Sequence, residues 1–146
     1  MTIKKIPFIF LIILLPACSG TKYTEQSHED TIASYHMIIA DSLAAKSSLR
    51  KATNEYLLIT KQYANTIYYP EAVRKSAAMF CDPENPIADD SVSLYWYRHY
   101  LTLPVAEKEK QQAEVCINLL ERIKTMRDEL QKLREVDVQM NKKEIK

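Results

Sequence analysis

Glycine is almost absent from this 146-residue chain: Gly20 is the only one. β-Sandwiches and barrels need turn glycines for positive φ, and phosphate-binding loops need several for close backbone approach. Both are excluded on that ground, and helices with short connections are favoured. An excess of charge is lacking too. The formal net charge is +1; setting aside residues 1–17, which carry only Lys4 and Lys5, leaves 18 basic against 19 acidic side chains, a net of −1. A chain so nearly neutral has no electrostatic footprint for nucleic acid, and the basic end at Lys142, Lys143 and Lys146 is a solvated tail. Metal ligands are sparse. His28, His36 and His99 are scattered with no partner at i+4, and no Cys-x-x-Cys occurs. No Gly-x-Ser-x-Gly or Walker pattern is present. The carboxylates sit in mixed-sign runs such as Glu107–Lys110 and Glu129–Glu135, which read as solvated helix faces with i,i+4 pairs. The expectation is a non-enzyme with no catalytic residue, no cofactor and no metal site.

What is present begins at the N-terminus. Lys4 and Lys5 precede an apolar run from Ile6 to Leu15, broken only by Pro7. The run is too short for a transmembrane helix, which needs about 20 residues, and suits the apolar region of an export signal. Leu15-Pro16-Ala17-Cys18 follows. A branched apolar residue, a small residue and then cysteine resembles the lipobox of bacterial lipoproteins, with Pro16 a less usual occupant. The resemblance implies a signal peptide over 1–17, cleavage before Cys18, and acyl chains carried by the Cys18 thioether and its new amino terminus. One chain alone binds a bilayer reversibly, whereas several anchor it stably. In enterobacteria an Asp after the cysteine favours the inner membrane, so Ser19 implies the outer membrane, facing the periplasm. Residues 18–30 are polar and read as a lipidated N-terminus and flexible tether of at most about 40 Å.

The rest of the chain has helical periodicity. No Gly or Pro occurs from Thr31 to Tyr69. Ile32, Tyr35, Ile39 and Leu43 form one apolar stripe, and Leu49, Ala52, Tyr56, Ile59, Tyr63 and Ile67 another. Asp30 is a candidate cap. Ser47-Ser48 is a candidate turn between antiparallel helices, with one continuous helix as the alternative. Pro70 marks a helix start, with Glu71 in its first turn, and that helix runs to about Phe80. Cys81–Pro86 is a loop, since each proline disfavours helix in the residue before it. Asp89 or Asp90 caps a helix over 91–102, and Pro104 ends it and begins the last. Cys116, Leu119, Ile123, Met126, Leu130 and Leu133 are spaced 3-4-3-4-3, a short heptad seam. We expect the first half of that last helix to pack on the domain and the second to project.

Val73, Ala77 and Phe80, then Ser93, Tyr97, Tyr100, Leu101, Leu103 and Pro104, resemble the paired helices of a tetratricopeptide repeat. The Asp82-Pro83-Glu84-Asn85-Pro86 loop lengthens the usual turn, and alanine replaces the usual glycine. From Tyr69 to Asp137 the chain is similar to small proteobacterial envelope lipoproteins, some encoded beside sensor kinases. The resemblance implies an all-α fold of tetratricopeptide-like antiparallel hairpins with a long C-terminal helix: a repeat-like domain over 31–104 and a coiled-coil-like helix with a basic tail over 105–146. It implies a non-catalytic protein–protein interaction module acting on an envelope sensor kinase; a structural subunit of an outer-membrane assembly or secretion complex is the alternative.

If that likeness holds, Cys81 and Cys116 lie at similar heights on neighbouring helices. In an oxidising periplasm a disulfide closing about 35 residues, worth roughly 3 kcal/mol, is then geometrically open to them; two buried free thiols are the alternative. Among the aromatics, Tyr97 and Tyr100 match core positions. Tyr95 and Trp96 point to different faces, so packing on the last helix or contact with a partner is open to them. With Leu130 and Leu133 they are the candidate partner contacts. The seam also allows a homodimer through the C-terminal helix.

Overall fold

The computed structural model describes the backbone of residues 21–144 and the side chains of residues 28–140. The expected signal peptide and Cys18 lie outside the described residues. Five helices follow in order: α1 Thr21–Ala45, α2 Leu49–Gln62, α3 Tyr69–Cys81, α4 Asp90–Leu101 and α5 Glu107–Glu144. Among the described residues there is no strand, as the single glycine implies.

Each helix packs on the next, which gives two hydrophobic cores with α3 between them. Ala33, Met37 and Ala40 of α1 meet Ala52, Tyr56 and Ile59 of α2 and Ala72 of α3. Val73 and Ala77, on the other side of α3, meet Leu94, Tyr97 and Tyr100 of α4 and Ala113, Ile117 and Leu120 of α5. The contact positions recur. Ala33, Val73 and Ala113 stand forty residues apart, as do Met37, Ala77 and Ile117, and Ala40, Phe80 and Leu120; all are buried except the half-buried Phe80. On the second helices Ala52, Tyr56 and Ile59 correspond to Ser93, Tyr97 and Tyr100, forty-one residues on. The molecule is therefore two helical hairpins and the first helix of a third, each unit burying its face on its neighbour.

The connections have identifiable causes. At the end of α1, Ser47 adopts φ 56°, its N–H bonds the Ala44 carbonyl at 2.9 Å and the Ser48 N–H bonds the Leu43 carbonyl at 2.9 Å. This is a Schellman cap with serine where glycine is usual, so the Ser47-Ser48 turn stands and α1 and α2 are separate helices. The Asp89 carboxylate accepts from the Ser91 and Val92 N–H groups and caps α4. In the preceding loop, buried Asn85 donates to the Thr53 hydroxyl at 2.9 Å and to the Met79 carbonyl at 2.8 Å, which ties the second hairpin to the first.

Four expectations shift. The segment expected as a tether is helical from Thr21, so Asp30 lies inside α1 and caps nothing; its carboxylate accepts from the Ile67 N–H instead. Pro70 is the second residue of α3, after Tyr69. Pro104 ends no helix directly and begins none: α4 stops at Leu101 and α5 starts at Glu107. The α1 stripe is offset, with Tyr35 64% exposed while the interspersed Ala33, Met37 and Ala40 are buried. Small side chains mark the line where two backbones approach, and the larger apolar residues flank it.

Candidate interaction surfaces

The longest exposed apolar surface is on α5. Its domain face is Ala113, Ile117 and Leu120, held against α4 by those contacts and by the Arg98–Glu121 and Arg127–Asp90 ion pairs. The heptad seam lies next to that face, not on it. Cys116 is half-buried against the core, whereas Leu119, Ile123, Met126, Leu130 and Leu133 are all exposed, Leu130 at 55% and Leu133 at 63%. From Glu121 to Met140 every residue is exposed. The first part of α5 packs and the rest projects, as expected, but beyond Cys116 the seam touches none of the described core. Val115 and Val136 extend its apolar surface at either end.

The second surface is aromatic and belongs to α4. Tyr95 is 63% exposed, and its ring meets Trp96 edge-on at 5.3 Å and stacks on His99 at 6.5 Å. Trp96 is half-buried against the second core, so packing claims one face of it. The Tyr69 hydroxyl shares a 2.7 Å hydrogen bond with His99 Nε2; burial first, then the proximity of Tyr95, pushes that hydroxyl's pKa up. Tyr97 and Tyr100, on the other face, are buried in the core as expected. Leu130 and Leu133 are ten residues or more beyond Leu120, the last buried position of α5, or at least about 15 Å along the helix. Tyr95 with Trp96, and Leu130 with Leu133, are therefore two surfaces and not one.

The remaining polar groups are placed for stability. Asp41 of α1 accepts from the Tyr56 hydroxyl of α2 and from Lys75 of α3, each at 2.5 Å, and Lys75 also lies 5.6 Å over the Tyr56 ring. Burial alone would raise the Asp41 carboxyl; Lys75 and Tyr56, with the Arg74 charge, outweigh it and hold the pKa below its ordinary value. His36 pairs with Glu55 at 2.7 Å and stacks on Tyr63. Neither network was legible in the sequence, because its members are 15 to 34 residues apart.

Of the two alternatives for Cys81 and Cys116, the structure has the free thiols. Cys81 and Cys116 are both free and half-buried, packed against the same core. Tyr97 is buried in that same core, and burial pushes both its hydroxyl and the Cys81 thiol up in pKa. The two half-buried thiols act as small hydrophobes at the edge of the core.

Among the described residues no group of His, Cys, Asp or Glu is placed to hold a metal ion, and no helix is long and apolar enough to cross a membrane. Comparison with protein-family models, with curated proteins and with solved structures finds no match.

Proposed function

We propose that this chain is a lipid-anchored protein of the bacterial envelope, at the outer membrane and facing the periplasm, that acts without catalysis through protein–protein contacts, with an envelope sensor kinase as its partner. The observation that carries the reading is the projecting half of α5. A row of exposed apolar side chains runs from Leu119 to Leu133 with charged residues on either side, and a contiguous apolar surface of that kind marks a contact site. The lipobox resemblance at Leu15–Cys18 supplies the anchor. The described helix α1 is already present at Thr21, three residues after Cys18 in the sequence. The domain would then sit near the bilayer at a raised effective concentration for any partner in that membrane or facing it.

The test is crosslinking in living cells, purification through a C-terminal tag and identification of the captured proteins. Recovery of a sensor kinase, lost when Leu130 and Leu133 become Asp, supports the reading. Recovery of barrel-assembly or secretion components in its place overturns the kinase assignment and makes this a structural subunit. Loss of membrane association in Cys18→Ser tests the anchor separately.

A further inference from the structure

We propose that the α5 seam is a self-complementary interface and that its occupant is a second copy of this chain, running antiparallel about a two-fold axis near residues 123–126. This rests on the reading of the seam as a protein contact and makes a second copy its direct occupant; the kinase then meets the dimer, so that loss of Leu130 and Leu133 releases it by separating the copies.

The register follows from the side chains. Let the seam of one helix meet that of a copy reversed so that Ile123 opposes Met126. Leu119 then opposes Leu130 and Cys116 opposes Leu133, each contact occurring twice by symmetry. Six apolar layers close over 18 residues, about 27 Å of helix. The positions flanking the seam on the side away from the domain are Val115, Arg122, Glu129 and Val136. In this register Arg122 faces Glu129 of the second copy, and Val115 faces its Val136. Opposite charges meet opposite charges and apolar meets apolar, at both ends. Beyond the apolar layers Asp137 falls opposite Gln112, a polar pair in a polar place.

A parallel pairing scores worse on the same residues. It sets Arg122 against Arg127 of the second copy, although Arg127 already serves Asp90 of its own chain, and this repulsion offsets the attraction of Glu129 for Arg134 that the same register makes. It also drives Asp137 against its own counterpart in the seam. Arg122 and Glu129 are exposed and make no hydrogen bond or ion pair among the described residues, so their charges are free for the partner. The side of α5 that faces α4, with Leu120 and Arg127, is turned about a quarter of a revolution from the seam, and beyond Cys116 the seam residues are exposed.

Two differently tagged copies of the full chain, co-expressed, report on the dimer by co-purification from detergent-solubilised envelopes. Wild-type copies are expected to co-purify. Arg122→Glu and Glu129→Arg should each lower recovery about tenfold, because two symmetric attractions become repulsions. The double variant should restore it, and none of the three should shift thermal unfolding of the monomer, measured at a concentration too low for pairing. The proposal is overturned if the wild-type copies do not co-purify, if Arg122→Glu raises recovery, as a parallel dimer requires, or if the double variant fails to rescue. Should copies fail to pair while Leu130→Asp with Leu133→Asp still releases a different envelope protein, the self-association idea falls and the interaction-module reading stands. If those substitutions release nothing, both fall.

Discussion

Ser47 illustrates how a single residue carries a constraint that its neighbours impose. The Schellman cap requires positive φ there, a conformation that costs a residue with a Cβ about 1 kcal/mol. Ser47→Gly is expected to raise stability by about 0.5–1 kcal/mol and the melting temperature by a few degrees; a lower melting temperature would contradict the cap. Ser76 is fully buried on α3 with a hydroxyl that has no hydrogen-bond partner. Ser76→Ala removes that desolvated group and should stabilise by about 1 kcal/mol in denaturant titration. Asp41 supplies a pH signature. Its pKa is lowered on folding, so its contribution is present above the unfolded carboxyl value of about 4 and is lost as pH falls through the folded value. Asp41→Asn should therefore be less stable than wild type at pH 7, with the difference closing as the pH drops below about 4. A difference that is constant with pH would show that Lys75 and Tyr56 do not stabilise the ionised form. Little of this was legible beforehand. Ser47 and Pro70 announce helix ends through backbone chemistry local to them, whereas Asp41 finds Lys75 only because three helices converge.

At the scale of the element, α5 shows what periodicity can and cannot tell. Its sequence carries two adjacent apolar stripes, Ala113-Ile117-Leu120 and the heptad seam, and both have helical spacing. Spacing identifies a helix and its faces but does not say which face the domain takes. Packing chose the stripe that begins with alanine, because α4 can approach most closely there. The same rule displaced the buried face of α1 from its bulky residues onto Ala33, Met37 and Ala40. The two stripes should respond differently to substitution. Leu120→Ala empties a buried site and is expected to cost about 2–4 kcal/mol. Leu130→Asp with Leu133→Asp alters positions exposed in the single chain and should change unfolding of the monomer, at a concentration too low for pairing, by no more than about 0.5 kcal/mol. Equal losses from both would mean that the seam is part of the fold.

For the whole molecule, the all-helical architecture with a long final helix was legible from glycine scarcity, proline placement and apolar period. The second hairpin was visible as a resemblance. The first was not, because Ala33, Ala40 and Ala52 lack the bulk that draws the eye to a motif, and the recurrence at forty residues appears only once the buried positions are known. The resulting stack is one-dimensional: each helix pair buries its neighbour, and α5 ends the series with a face that a further helix would cover. The account holds that another polypeptide covers it. A photo-crosslinking amino acid placed at Leu130 in living cells tests that directly, with the exposed position Glu135, on another face of the same helix, as control. Crosslinked protein species from position 130 and none from position 135 is the expected result. No crosslink at 130, or equal capture from both positions, would contradict the claim that the α5 seam is a protein-binding surface.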